Sequence, residues 1–252
     1  MQLENTAALV TGGASGLGAA TAKALAGRGA KVFALDLKDG VDKAPEVTGV
    51  TYVAADVTDP EQVRAAVATA AGAGVPLRTV VNCAGIGPSM RILGKKGVHD
   101  LGLYAKVIQI NLIGTFNVLA LASEAIAATE ADDNGQRGVI VNTASIAAYD
   151  GQIGQAAYSS SKGGVVGLTL PAARDLAQYG IRVCTIAPGI VETPMLATVS
   201  EEFRASLAAG VPFPRRLAQP EEYAQLALAI VDHDYLNGET IRMDGALRMA
   251  PR

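Results

Sequence analysis

The chain has 252 residues, of which 50% are hydrophobic, and a formal net charge of −3. That balance disfavours a nucleic-acid-binding surface, which needs a basic excess. Mean hydropathy is +0.27, yet no uninterrupted apolar run approaches the roughly 18 residues that span a bilayer, and the start lacks a signal-peptide pattern. We therefore expect a cytoplasmic protein without a membrane segment, whose excess apolar surface lies in buried strands and oligomer contacts.

Two cysteines, Cys83 and Cys184, lie far apart in or beside apolar runs. Neither has metal-ligand spacing or a His or Cys partner nearby, so no metal site is predicted. Both are expected to be small buried side chains in a reducing compartment.

Apolar, β-branched runs alternate with helix-patterned segments along the whole chain. The predicted strands are residues 7–11, 31–35, 51–54, 79–82, 139–142, 182–186 and 239–243. The predicted helices are residues 16–26, 60–71, 101–129, 156–179 and 219–231. This alternation is typical of an α/β fold, a single Rossmann-like, doubly wound domain over residues 1–252, with about seven parallel strands and helices on both faces.

Two longer segments interrupt the alternation. Residues 85–101 are rich in Gly, Ser and Lys, and residues 188–214 have prolines at both ends around a possible short helix. Doubly wound folds place their sites on loops at the carboxyl ends of strands. We predict a mobile substrate flap at about residues 190–215, an ordinary surface loop being the alternative for each segment.

The loop between the first strand and the first helix is rich in glycine. Without side chains there, backbone can approach a pyrophosphate, and the helix N-terminus adds N–H donors and a positive dipole end. Tight turns also use glycine, but the position after a first strand favours a dinucleotide. The predicted contacts are Gly12, Ser15, Gly16, Leu17 and Gly18.

Asp36 ends the second strand, eighteen residues after Gly18. A carboxylate about 20 residues past the loop can bind the ribose hydroxyls of NAD and repel the 2′-phosphate of NADP. NAD is therefore the predicted cofactor, although nearby Lys38 leaves some use of NADP open. Residues after the third and fourth strands are predicted to line the same cofactor site: Asp56, Val57, Asn82, Cys83, Ala84 and Gly85.

Tyr158 and Lys162 lie four residues apart, on one face of a predicted helix. A tyrosine with a pKa of about 10 is a poor base, but a nearby ammonium and an oxidised nicotinamide would lower that pKa. Ser145, beyond the fifth strand, could hold a substrate oxygen against the tyrosine. Tyr158 and Lys162 could also be a surface pair without function.

Taken together, these motifs resemble the short-chain dehydrogenase/reductase family over essentially the full chain. The matches are Thr-Gly-x-x-x-Gly-x-Gly at residues 11–18, Asn-x-Ala-Gly at 82–85, Ser145, and Tyr-x-x-x-Lys at 158–162. Residue 83 is Cys where many members have Asn. The resemblance implies four catalytic residues, namely Asn111, Ser145, Tyr158 and Lys162, with Asn111 holding a proton-relay water. It assigns further cofactor contacts to Tyr158, Lys162, Pro188, Val191 and Thr193.

A closer likeness is to the type II 3-hydroxyacyl-CoA dehydrogenases, also called type 10 17β-hydroxysteroid dehydrogenases. It rests on residues 151–158, 169–175, 211–215 and 241–245. The likeness implies NAD-dependent oxidation of a short or branched 3-hydroxyacyl-CoA to the 3-ketoacyl-CoA, with tolerance for steroids and simple alcohols. It also implies a homotetramer packed through residues 101–129 and 156–179.

The substrate pocket is predicted to include Ser145, Gln155 and Tyr158. Gln152 and Gln155 could bind a thioester carbonyl or satisfy loop backbone. The basic pairs at residues 95–96 and 215–216 could meet coenzyme A phosphates or stay solvated.

Other functions fit the same residues. A steroid, sugar or other secondary alcohol dehydrogenase would use the same mechanism with a different pocket. A reductive 3-ketoacyl carrier-protein enzyme fits less well, because Asp36 disfavours NADPH. A nucleotide-bound scaffold or sensor without turnover is the alternative from another class, although it need not keep Tyr158 or Lys162.

Overall fold

The computed structural model describes residues 1–95, 97–196 and 200–251. The strands in this part of the chain are β1 Ala7–Thr11, β2 Lys31–Asp36, β3 Val50–Ala54, β4 Leu77–Asn82, β5 Leu93–Gly94, β6 Gly97–Val98, β7 Gly138–Thr143, β8 Ile181–Pro188 and β9 Thr240–Met243. The α-helices are α1 Gly16–Gly27, α2 Lys38–Val41, α3 Pro60–Ala71, α4 Leu101–Ile108, α5 Thr115–Ala127, α6 Ala156–Ala177, α7 Glu201–Ala209 and α8 Pro220–Asp232.

Seven of the strands form one parallel sheet in the order β3-β2-β1-β4-β7-β8-β9. The order reverses direction between β1 and β4, which is the arrangement of a doubly wound fold. The predicted α/β fold with seven parallel strands is confirmed, and predicted and observed strand ends differ by at most two residues.

Helices cover both faces of the sheet because the central strands are apolar on both sides. Along β1, Leu9 belongs to a core with Val118 of α5, on one face. Its neighbour Val10 belongs to the opposite core, with Leu25 of α1 and Ile230 of α8. Since each fully buried side chain of this kind contributes about 1.5–3 kcal/mol, the two cores fix the sheet between its helix layers.

The predicted helix 101–129 is interrupted. A π-helical turn, Gln109–Gly114, separates α4 from α5, and Asn111 lies within it. Such turns often occur at functional sites. A Cβ on Gly114 would lie 2.6 Å from Cγ2 of Val57, so only glycine lets this turn approach the loop after β3.

The same composite helix, Leu101–Ala127, is long and apolar enough to span a membrane by length and composition, with a mean hydropathy of 1.5 over 18 residues. Lys106 and Glu124 lie within it, so it is not an uninterrupted apolar run, and the expectation of no membrane segment stays a prediction. The core helix of a folded protein can have the same length and composition, and 44% of this apolar stretch is buried inside the molecule. Here α5 packs on α3, and α4 packs on α6.

Three short elements were not predicted as such. The segment 85–101 contains a small antiparallel hairpin of β5 and β6, and α2 follows β2. The possible helix in the predicted flap is α7, while residues 197–199 of that flap lie outside the described residues.

Candidate active site

One cavity of about 1120 Å³ opens at the carboxyl ends of the parallel strands. Of the residues predicted for the site, the following line it: Gly12, Ser15, Gly16, Leu17, Gly18, Asp36, Asp56, Val57, Cys83, Ala84, Gly85, Ser145, Gln155, Tyr158, Lys162, Pro188, Val191 and Thr193. Asn82 and Asn111 lie behind its wall and are both almost wholly buried. The fold thus brings together residues from almost the whole length of the chain.

The glycine loop leaves room for a phosphate. Gly12 has a φ of +64°, and a Cβ there would lie 2.9 Å from the backbone nitrogen of Ala84. A Cβ on Gly18 would overlap the carbonyl of Gly12, so the first turn of α1 can press against the loop. The free N–H groups at the start of α1 then border the cavity, which fits a dinucleotide pyrophosphate.

Asn82 does not face the predicted cofactor position. Its Nδ2 donates to Oδ1 of Asn142 at 2.9 Å, which links β4 to β7 beneath the loop. The loop itself is held by Thr11, whose hydroxyl accepts from the backbone nitrogens of Cys83 and Ala84 at 3.1 Å. Asn82 thus joins two strands next to the loop that lines the cavity, and its contact with the cofactor stays a prediction.

Asp36 is oriented by backbone donors at the end of β2. Its Oδ2 accepts from the nitrogen of Ala14 at 3.0 Å, and its Oδ1 accepts from the nitrogen of Leu37 at 2.8 Å. The cation that could neutralise it is engaged elsewhere: Nζ of Lys38 lies 2.8 Å from both carboxylate oxygens of Asp42. The carboxylate of Asp36 is therefore held at the cavity edge by backbone donors.

Ser145 and Tyr158 form the reactive end of the cavity. The hydroxyl of Ser145, at the start of a 3-10 turn, accepts from the nitrogen of Ala147 at 3.1 Å and lines the cavity together with Tyr158. Burial raises the pKa of Tyr158, and the neighbouring Ser145 hydroxyl partly offsets that rise. The lowering that we expect from Lys162 together with an oxidised nicotinamide stays a prediction.

Lys162 is buried directly beside this pair. Its Nζ lies 5.8 Å from the Tyr158 ring centroid and donates to the carbonyl of Thr143, the last residue of β7, at 2.7 Å. Burial lowers the pKa of Lys162 to about 8, because desolvation disfavours the ammonium. The ammonium is thus positioned by the sheet, and two of its three protons are left for other acceptors.

The side-chain amide of Asn111 is hydrogen-bonded within the protein. Its Oδ1 accepts from the nitrogen of Ile86 at 2.8 Å, and its Nδ2 donates to the carbonyl of Ile86 at 2.9 Å and to Oγ of Ser161 at 3.0 Å. Both amide protons are therefore occupied, and the side chain clamps the loop after β4 against α6. The water relay assigned to Asn111 stays a prediction, and its amide N–H groups are not free to donate to it.

Sequence reasoning missed a buried polar cluster behind Cys83. The hydroxyl of Tyr223, on α8, lies 2.7 Å from Oγ1 of Thr143, and both approach the Cys83 sulfur, at 3.7 and 3.6 Å. Burial raises the pKa of the Cys83 thiol, which keeps it protonated and unreactive. Because 140 positions separate Cys83 from Tyr223, no local pattern could have indicated this contact.

The predicted substrate end shows how the two glutamines are used. Oε1 of Gln155 accepts from the nitrogen of Gln152 at 3.0 Å, and Nε2 of Gln152 donates to the carbonyl of Ala250 at 2.9 Å. Both glutamines satisfy loop backbone while lining the cavity.

Of the basic pairs, Arg216 is bound by both carboxylate oxygens of Glu222 at 2.7 Å, and residue 96 lies outside the described residues.

Comparison with known proteins decides the family. A model described as short chain dehydrogenase matches residues 6–204, most of the chain. The chain belongs to the short-chain dehydrogenase family. This short-chain dehydrogenase is 52% identical, over 99% of its length and 100% of the relative, to a Drosophila melanogaster protein named 3-hydroxyacyl-CoA dehydrogenase type-2. A Homo sapiens protein of that name is 51% identical, over 97% of this chain and 95% of that one.

A solved structure agrees over the whole length. The crystal structure of a 3-hydroxyacyl-CoA dehydrogenase type-2 from Mycobacterium avium has a TM-score of 0.93 and 44% identity, and covers 100% of this chain and 99% of that one. The predicted family is confirmed, and this short-chain dehydrogenase is an oxidoreductase of a class that uses NAD(P). The hypothesis of a scaffold without turnover is therefore set aside.

Proposed function

We propose that the chain oxidises a secondary alcohol with NAD, and that its substrate is a short or branched 3-hydroxyacyl-CoA, which becomes the 3-ketoacyl-CoA. The observation that carries this proposal is the placement of Ser145 and Tyr158 together beside buried Lys162, in the cavity whose other end presents Asp36. The names of the relatives support the acyl-CoA substrate.

The choice of NAD over NADP rests on Asp36 and Lys38. A fixed carboxylate can accept both ribose hydroxyls, whereas a 2′-phosphate beside it would meet like charge. The ion pair between Lys38 and Asp42 keeps the nearest lysine from compensating that repulsion.

Proton transfer falls to Tyr158. The Ser145 hydroxyl donates to the substrate oxygen and orients it, and the Tyr158 oxygen removes the hydroxyl proton as the C–H bond of the carbinol breaks. When bound, NAD supplies the hydride acceptor and a positive charge near the tyrosine. Lys162, held by the Thr143 carbonyl, can direct its remaining protons to the nicotinamide ribose and stabilise the tyrosinate.

The substrate end of the cavity is apolar. Ile153, Leu196, Leu207 and Met249 line it together with Ser145. Such a lining favours an acyl chain over a sugar, because a sugar would leave hydroxyls without hydrogen-bond partners. The remaining length of an acyl-CoA would extend outward past the flap.

A homotetramer and a cytoplasmic location remain part of the proposal. Exposed apolar side chains lie along the two expected interface helices, among them Phe116 on α5 and Leu170 on α6. The free thiols of Cys83 and Cys184 suit a reducing compartment.

The deciding experiment measures NADH formation from 3-hydroxybutyryl-CoA and from a branched 3-hydroxyacyl-CoA, with acetoacetyl-CoA reduction as the reverse reaction. We expect turnover with NAD and little with NADP. Turnover confined to steroids or simple alcohols would refute the acyl-CoA substrate while keeping the mechanism. Equal rates with NADP would refute the argument from Asp36.

A further inference from the structure

The chain after β9 turns back toward the cavity. Gly245 and Ala246 have φ values of 59° and 65°, and a Cβ on Gly245 would lie 2.6 Å from Cγ1 of Val211. A non-glycine residue keeps a left-handed conformation only where its surroundings hold it there. The turn is therefore a fixed feature, and it directs residues 247–251 across the substrate end.

This returning segment is hydrogen-bonded to the loop that precedes α6. The carbonyl of Ala250 accepts from Nε2 of Gln152 at 2.9 Å, and the carbonyl of Pro251 accepts from the nitrogen of Ile153 at 3.0 Å. Gln152, Ile153 and Met249 all line the cavity. Residues 150–155 and 247–251 thus form one continuous surface, which we call the tail–loop wall.

Arg242, on β9, joins the two halves of the tail–loop wall. Its Nη2 lies 2.6 Å from Oδ2 of Asp150 and 3.1 Å from the carbonyl of Leu247. Its Nε lies 2.7 Å from Oδ2 of Asp244, and its guanidinium carbon lies 5.1 Å from the centroid of the Tyr149 ring. A planar guanidinium with this many partners fixes both the position and the angle of the groups that it binds. An ammonium, which acts as a point charge, would not fix the angle.

Apolar packing connects the tail–loop wall to the catalytic end. Leu247 is buried with Ile146, the residue after Ser145, and with Val211 at the end of the flap. Met249 packs against the same cluster. A displaced tail would therefore change the outline of the cavity next to the reacting carbon.

We propose that Arg242 is a positioning residue which sets the tail–loop wall and thereby the fit of the acyl group, a proposal that rests on the proposed function. Arg242 is not among the described residues that line the cavity, so it acts through the wall. Ile153 and Met249 provide the apolar contact, and Asp150 would be left without its cation if Arg242 were removed.

The test compares Arg242→Gln with Arg248→Gln. Arg248 also reaches Asp244, at 3.1 Å, and the carbonyl of Leu247, at 2.8 Å, but within the described chain it makes no bond to Asp150. With NAD and 3-hydroxybutyryl-CoA, Arg242→Gln should raise the KM for the CoA ester about tenfold, leaving kcat within about threefold and the KM for NAD unchanged. Arg248→Gln should leave all three near the wild-type values.

A second variant, lacking residues 250–252, removes the two tail carbonyls while keeping Arg242. It should raise the same KM, and hydrogen exchange at the Ile153 amide should accelerate about tenfold in it and in Arg242→Gln. An unchanged KM in both variants, unchanged exchange, or an equal effect of Arg248→Gln would overturn the positioning role. Wild-type inactivity on every CoA ester would instead refute the proposed substrate, and the exchange rates would still decide the role of Arg242.

Discussion

In the proposed mechanism Tyr158 acts as the base although its burial disfavours the charged form. Burial raises its pKa, so the tyrosinate that could accept a proton is scarce at neutral pH in the unliganded protein. The positive charge that would favour it comes from Lys162 and from the oxidised cofactor. In this mechanism, proton transfer by Tyr158 depends on cofactor binding, because the positive charge of the bound cofactor lowers the pKa of the tyrosine.

We expect Tyr158→Phe to lose turnover without losing the cofactor. The change removes only the hydroxyl, so NADH should bind with nearly the wild-type Kd. The rate should fall by roughly 10²–10⁴-fold, the usual contribution of a positioned general base. Fluorescence titration with NADH and steady-state assays measure the two effects. Turnover at a tenth or more of the wild-type rate would rule out Tyr158 as the base.

Lys162 makes stability depend on pH. With a pKa of about 8 in the folded chain and 10.5 in the unfolded one, the unfolded chain binds more protons between these values, so stability rises with pH there. Between about pH 7 and about pH 9.5 the rise should be about 2 kcal/mol.

The variant Lys162→Met lacks this titration. Its unfolding free energy relative to wild type should therefore be highest near neutral pH and should fall as the pH rises. Urea unfolding at matched protein concentration measures the difference. A difference independent of pH would show that the ammonium is solvated in the folded protein.

At the level of single residues, the sequence indicated the residues of the proposed reaction better than the residues that hold them in position. Tyr158, Lys162 and Asp36 follow strands or share a helix face, so chain order alone places them at one edge. Asn82 was assigned to the cofactor because it belongs to the same motif as Cys83. That contact stays a prediction, and the Asn82 side chain bonds Asn142, its partner on the neighbouring strand. The contacts of Arg242 and Tyr223 span 92 and 80 positions, a distance at which sequence patterns carry no signal.

Among the elements, the first turn of α1 requires a glycine at position 18. We expect Gly18→Ala to weaken NADH binding by at least tenfold, because the added Cβ overlaps the carbonyl of Gly12 and displaces the loop. The matched control is Gly27→Ala in the same helix, where no heavy atom of the described chain lies within 4 Å of the added Cβ.

The control should keep NADH binding and raise stability by up to about 1 kcal/mol, since alanine is the better helix former. Thermal unfolding and NADH titration of both variants provide the comparison. If Gly18→Ala bound NADH as the wild type does, the pyrophosphate could not be seated on this turn.

Long, periodic elements were predicted with ends within two residues, whereas short or interrupted ones were not. The strands β5 and β6 have two residues each, so no alternation can develop. The π-helical turn between α4 and α5 continues the helical pattern of apolar residues, and its different hydrogen bonding has no sequence signature. Only the contact between Gly114 and the loop after β3 marks its position.

For the whole molecule, the exposed apolar residues indicate assembly. Phe116 is 50% exposed and Leu170 is 44% exposed, on the two helices expected to meet partner copies. We expect light scattering to give a tetramer for the wild type and a smaller species for Phe116→Glu or Leu170→Glu. Val98→Glu, at an exposed apolar position on the hairpin, should remain a tetramer. A wild-type monomer would refute the assembly.

The strand order has a kinetic consequence. β1 is an interior strand of the sheet, and one of its two neighbours is β4, so that Ala8 pairs with a residue about seventy positions later in the chain. Bringing β1 and β4 together costs the conformational entropy of the chain between them before their contacts form. Folding should therefore be slow and limited by this pairing. The loops that line the cavity follow β1, β4 and other strands of the same sheet. Since the cavity is complete only after these strands pair, a ligand that binds the native cavity should slow unfolding more than it speeds folding.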